Sequence, residues 1–144
     1  MNGTGTFIIV VGFDGSESSL AALRWAVDEA RLRQGRIRVI TAWHYPPVPS
    51  SIEDSSINDS FHTAERFQAD ALKAVSTDGV DITGTLVRGY PATALLDASK
   101  DADILIVGSR GRGGFAGLLL GSVSTQVAHH ASCPVLIVRH PSAV

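Results

Sequence analysis

Apolar and polar positions follow two rhythms along the chain. Phe7–Phe13 (FIIVVGF) is a short, continuous apolar run rich in β-branched residues, and it stops at Asp14-Gly15-Ser16. A run of that length without a polar face predicts a strand buried on both sides. After the turn, Leu20, Leu23, Val27 and Ala30 recur at helical spacing. Ser16 or Ser18 supplies an N-cap, Glu17 sits near the positive end, and Gly35 stops the pattern. Ile37–Trp43 predicts a second strand. Phe61, Ala64, Phe67, Ala71, Leu72 and Val75 form a second helical stripe. Val80–Val87 alternates, which predicts a strand with one face less buried, at a sheet edge. Pro91 suits the first turn of a third helix over Ala92–Lys100. The strand Ile104–Val107, a helix from about Ser122 to His130 and the strand Val135–Val138 complete the pattern.

The order is βαβαβαβαβ, which predicts an α/β fold: one domain over residues 1–144, a parallel sheet and helices on both faces. Such sheets bind ligands outside the carboxyl ends of their strands, where strand order reverses. His44–Asp59 breaks the rhythm, with three prolines, a cluster of serines and the acids Glu53, Asp54 and Asp59. It reads as a mobile loop, with a lid over the ligand as the alternative. His140–Val144 reads as a frayed tail.

Composition narrows the class. A chain of 144 residues buries about two thirds of its unfolded surface, so no disulfide or metal staple is needed. With 44% hydrophobic and 18% charged residues and a net charge of −2, nothing points to a nucleic-acid or membrane-surface binder. A single cysteine, Cys133, precludes an internal disulfide and fits a reducing compartment. Met1–Thr6 lacks the basic start of a signal peptide, and no apolar run approaches the roughly 20 residues of a spanning helix. The expectation is a soluble cytoplasmic protein.

The candidate chemistry lies between Gly108 and Val123. A loop rich in glycine and arginine (Gly108, Ser109, Arg110, Gly111, Arg112, Gly113, Gly114) leaves the fourth strand, and Gly121-Ser122 opens the next helix. Glycines let backbone N–H groups approach an anion. A helix start adds free N–H groups and the positive end of the dipole. Ser122 falls at or near the N-cap, and Arg110 and Arg112 add positive charge. The residues alone specify an anion cradle, not which anion. Glycines that merely turn the chain and a serine that merely caps a helix are the alternative. Neither a Walker A sequence nor a G-x-G-x-x-G fingerprint after the first strand is present.

Three stretches carry a family resemblance: Val10-Val11-Gly12-Phe13-Asp14-Gly15-Ser16, Val87-Arg88-Gly89-Tyr90-Pro91, and Gly108-x2-Gly111-x9-Gly121-Ser122. Together with Cys133–Val138, they make the chain similar to universal stress proteins of the ATP-binding type, whose G-2x-G-9x-G-(S/T) signature the third stretch matches. The resemblance implies a Rossmann-like three-layer α/β/α domain with a five-stranded parallel sheet in the order 3-2-1-4-5. It implies ATP bound across the ends of the first and fourth strands. Gly12, Phe13 and Asp14 would line the adenosine side, and the backbone of Ala42 would meet the adenine edge. Gly108, Gly111, Gly121, Ser122 and Val123 would hold ribose and phosphates, with Arg110 and Arg112 as phosphate neighbours. Asp14 would face the sugar or contact Mg²⁺. The resemblance also implies a homodimer formed by pairing of Val135–Val138.

No catalytic set accompanies the cradle. The five histidines (His44, His62, His129, His130 and His140) show no metal-ligand spacing, and no nucleophile elbow occurs. Ser109, Ser122, Ser124 and Thr125 are hydroxyls near the expected phosphates. Three functions stand as expectations: an ATP-occupancy sensor or regulatory module in a stress response, a slow ATPase or autokinase, and a dimeric interaction protein that needs no nucleotide and acts on an unknown protein partner.

Overall fold

The computed structural model describes residues 5–44, 53–75, 77–110 and 120–140. Its elements run β1 (Ile8–Gly12), α1 (Glu17–Arg33), β2 (Arg36–Trp43), α2 (Glu53–Ala74), β3 (Asp81–Arg88), α3 (Pro91–Ala98), β4 (Ile104–Gly108), α4 (Ser122–His130) and β5 (Val135–Val138). The strands form one parallel sheet in the order β3-β2-β1-β4-β5. This is the Rossmann-like α/β architecture expected from the sequence.

The central strand shows why its apolar run has no polar face. Ile9 and Val11 point into a cluster with Leu23, Ala26 and Val27 of α1, Ala71 of α2 and Val75 just past its end. Val10 points the other way, among Ala94 and Leu95 of α3 and Val127 of α4. All three strand residues are fully buried. Period-two alternation therefore feeds two separate cores. Full burial of a side chain such as Leu23 contributes about 1.5–3 kcal/mol.

The edges differ from the centre as the pattern implies. Five of the eight β3 residues are exposed. At β5, Val135, Leu136 and Ile137 are half-buried and Val138 is buried. α1 starts on the Ser16 cap and ends at Gln34, which adopts the left-handed conformation (φ 52°) one residue before Gly35.

One expectation is corrected. Residues 53–59, read as part of the loop His44–Asp59, form the first two turns of α2, which extends over 22 residues. The three prolines of the segment all precede Ser50, so none obstructs the helix. The residues that open the helix are largely acidic and polar, and acidic residues in a first turn favour a helix start. Lack of an apolar stripe there marks exposure, seen at Asn58 and Asp59, rather than irregular backbone.

Candidate functional site

The sheet opens where its pairing pattern ends. β1 and β4 stay in register as far as Val11 and Ile106, and β1 and β2 as far as Gly12 and Ile40. Beyond those pairs the chain leaves β1 toward α1 on one face and leaves β4 toward α4 on the other. The gap is a cleft at the carboxyl end of the sheet, at the point where strand order reverses.

Seven of the sequence-predicted residues meet there: Gly12, Phe13, Asp14, Ala42, Gly108, Arg110 and Val123 all line the cleft. Gly121 and Ser122 stand beside Val123 at the start of α4. Gly111 and Arg112 lie outside the described residues. The cleft's inner wall is apolar and escapes the sequence reading. Ile40, Pro91, Leu95 and Val107 line it, together with Ser19 and Ser124. Strand parity carried a signal for it, because Ile40 and Ala42 lie two apart and so share a sheet face.

Ala42 has a backbone role fixed by its neighbours. Phe13 N–H donates to the Ile40 carbonyl at 3.0 Å, so Ile40 turns its peptide groups toward β1. Trp43 turns its carbonyl the other way, accepting from Gly89 N–H at 2.8 Å. Alternation then directs the N–H and C=O of Ala42 to the β1 side, past the end of β1 and into the cleft. A planar ring seated on the apolar wall would find a donor and an acceptor along that edge. Phe13 contributes differently: its side chain belongs to the core on the α1 face.

The glycines that end the two strands are explained first by packing. A Cβ on Gly108 would stand 2.6 Å from the backbone carbon and Oγ of Ser18 in α1. A Cβ on Gly12 would stand 2.7 Å from Leu95 Cδ1. Close approach of α1 to β4 needs glycine at Gly108, where the neighbour is backbone, before any ligand is considered; at Gly12 the neighbour is the end of a leucine side chain, which can shift.

Two turns flank the cleft. In the first, Asp14 Oδ1 accepts from Ser16 N–H at 2.9 Å, and Ser16 Oγ accepts from Ser19 N–H at 3.1 Å, capping α1. In the second, Ser109 is the hub. Its N–H donates to the Val138 carbonyl at 2.8 Å, and its carbonyl accepts from Gly121 N–H at 2.6 Å and Ser124 Oγ at 2.9 Å. Ser18 Oγ joins the hub 3.3 Å from Ser109 Oγ and accepts from Arg110 N–H at 3.4 Å. Ser109 and Ser124 are thus buried structural hydroxyls, whereas Ser122 and Thr125 are exposed.

At α4 the cap residue is Gly121, and Ser122 is the first helical residue. The N-cap has no side-chain hydrogen bond, and no acid occupies the first turn. The first-turn N–H groups and positive dipole end of α4 lie beside Val123 of the cleft wall, and no side chain among the described residues caps them. A helix start of this kind next to an apolar slot has the geometry that suits an anion.

Little else in the described residues offers chemistry. They contain no group of three or more His, Cys, Asp or Glu able to hold a metal. Burial pushes the Cys133 thiol up, which keeps it protonated at neutral pH. No described helix is long and apolar enough to cross a membrane.

Comparison with known proteins agrees with this geometry. Residues 6–139 match the sequence model of the Universal stress protein family. The universal stress protein Rv2624c of Mycobacterium tuberculosis (strain H37Rv) is 39% identical over 133 residues, an overlap of 91% of this chain and 47% of that protein. The chain thus spans about half the length of its mycobacterial relative. A universal stress protein of Thermus aquaticus is 34% identical over 137 residues, covering 91% of this chain and 97% of its own length. The crystal structure of a universal stress protein in complex with cAMP has a TM-score of 0.65 at 34% identity, covering 96% of this chain and 100% of that one. The family match, the identities and the shared architecture lead to one conclusion: the chain belongs to the universal stress protein family.

Proposed function

We propose that the chain binds an adenine nucleotide, ATP in the first instance, and acts as a nucleotide-occupancy module in a stress response. The observation that carries this reading is the pairing of two features across one cleft. Ala42 turns a backbone donor and acceptor toward an apolar slot, and the uncapped N-terminus of α4 stands at its other side. A base and an anion are the two ends of a nucleotide. The complex of a 34% identical relative with cAMP supports the same class of ligand.

In this reading Gly12 and Asp14 flank the sugar. Gly108, Arg110, Gly121, Ser122 and Val123 hold ribose and phosphates, with Gly111 and Arg112 completing the phosphate loop. Alternatively to facing the sugar, Asp14 would be the residue to hold a Mg²⁺ ion accompanying the triphosphate, whose charge the ion would offset. In this reading the chain's own residues bind and orient, and the protein holds ATP, with a slow ATPase or autokinase as the alternative reading; His44 and Asp59 line the pocket that adjoins the cleft through Asp14, Ala42 and Pro91. The protein is placed in the cytoplasm, with the half-buried edge strand β5 as the seam of a homodimer.

Calorimetric titration of nucleotide-free protein with ATP, AMP and cAMP tests the reading. Saturable binding of ATP, tighter than AMP, is expected. Absence of saturation with all three at millimolar concentration would sink it. Sedimentation tests the dimer: a monomer at micromolar concentration removes the β5 seam.

A further inference from the structure

The turn that carries Asp14 is backed by α2, whose Phe67 shares with Asp14, Ala42 and Pro91 the wall of a pocket that adjoins the cleft. Gly15 adopts φ +87°, and a Cβ built on it would lie 3.0 Å from Phe67 Cδ2 and 3.2 Å from Cγ. The ring of Phe67, half-buried on α2, therefore lies against Gly15 of the Asp14-Gly15-Ser16 turn. In the same turn Asp14 Oδ1 accepts from Ser16 N–H, and Asp14 lines the cleft.

The depth of that ring is set by its chain neighbour. Gln68 is a buried polar residue, 7% exposed. Its Nε2 donates to the carbonyls of Val39 (3.3 Å) and Thr85 (3.1 Å) and to Thr41 Oγ1 (3.1 Å). Its amide also occupies the space left by Gly84, where a Cβ would lie 2.8 Å from Gln68 Cδ. A buried amide is costly unless satisfied, and here satisfaction requires one position of α2 over β2 and β3. An apolar side chain would let the helix slide; the amide does not.

We propose that Phe67, held in register by Gln68, is the positioning residue for Asp14. The proposal rests on the nucleotide reading of the cleft and deepens it: α2 sets where the sugar-side carboxylate stands.

A double-mutant cycle tests it, with ATP affinity read by calorimetry and the Ser16 amide read by NMR. Asp14→Asn is expected to weaken ATP about tenfold in the native background, and about threefold or less beside Phe67→Ala. The Ser16 amide, which Asp14 holds, exchanges its hydrogen faster in Phe67→Ala. Gln68→Leu reproduces both effects in weaker form. Val75→Ala, a buried change on the same stretch of chain, leaves the Asp14→Asn penalty and the Ser16 exchange rate at their native size, which separates positioning from general loosening. Should Phe67→Ala fail to fold, Phe67→Leu carries the same cycle. An unchanged Asp14→Asn penalty with an unchanged Ser16 exchange rate overturns the proposal. If the native protein binds no ATP, the nucleotide reading fails by itself, and Ser16 exchange alone decides: faster exchange supports the positioning role, and an unchanged rate overturns it.

Discussion

Two helices start at the mouth of the same cleft, and they finish their N-termini in opposite ways. α1 closes on itself. Ser16 caps it, Asp14 holds Ser16 N–H, and Glu17 sits in the first turn. α4 begins at Gly121 with no side-chain cap and no acid in its first turn. Both come after a strand that ends on a glycine, Gly12 and Gly108. Polar satisfaction separates them. The first terminus has spent its positive end on its own hydroxyl and carboxylates, which would repel a phosphate. The second has left that end open. On the proposed reading, the anion belongs at the terminus that no described side chain caps.

The largest test makes the second terminus like the first. Gly121→Asp places a carboxylate at the cap of α4. Gly121 lies at φ −78°, ψ 173°, a conformation any residue adopts. The expected outcome is loss of ATP affinity by about a hundredfold or more, about 2.7 kcal/mol, from a like charge at the phosphate position. Gly121 is buried, so some loss of thermal stability is expected, offset in part because an aspartate cap is itself favourable; the melt shows that the variant is folded. ATP binding within threefold of native, with an intact melt, would break the comparison.

Gly108→Ala probes the strand end that serves the open terminus. Its Cβ would meet the backbone of Ser18, which has no flexible end to yield. A cost of about 1–3 kcal/mol in urea unfolding is expected, the range for overpacking. A variant with native stability but lost binding would instead make Gly108 a ligand-approach glycine.

These contacts show where the sequence was legible and where it was not. Apolar runs at Ile9–Val11 and Leu105–Val107 announced strands covered on both faces, because burial on two sides leaves no polar position to mislead. The order of strands came from family resemblance, since periodicity says nothing about which strand lies beside which. The first turns of α2 were misread because an exposed, acidic helix start has the composition of a loop. Among the site residues, the polar and glycine positions stood out, whereas Ile40, Leu95 and Val107 looked like ordinary core. They are core, and the cleft is simply where that core reaches the end of the sheet. The structural reason for Gly108 needed its contact with Ser18, a neighbour that no local pattern reveals.

A smaller change loosens the closed terminus. Ser16→Ala removes the cap of α1 and is expected to cost about 1 kcal/mol in stability. Because α1 packs on β1, β4 and β5, the loss should appear in global unfolding rather than as local fraying. ATP affinity should fall by less than in Gly121→Asp. An equal fall would mean that both termini serve the ligand, and the asymmetry would be lost.

The smallest effect comes from outside both turns. Arg38 and Asp101 form a two-pronged ion pair at 2.8 and 3.1 Å, away from the carboxyl ends of the strands. The hydrogen bond to Arg38 holds the Asp101 carboxyl below its ordinary value. A depressed carboxylate stabilises the fold above its unfolded pKa, about 3.9, and that contribution disappears as pH falls through the lower folded value. Both side chains are substantially exposed, so screening keeps the pair below about 1 kcal/mol. Asp101→Asn should therefore lower stability slightly at neutral pH, converge with the native protein in strong acid, and leave ATP affinity unchanged at pH 7. A change in affinity would show that the anion end of the cleft responds to charge across the whole sheet, and the contrast between the two helix starts would then need a long-range field rather than a local cap to explain it.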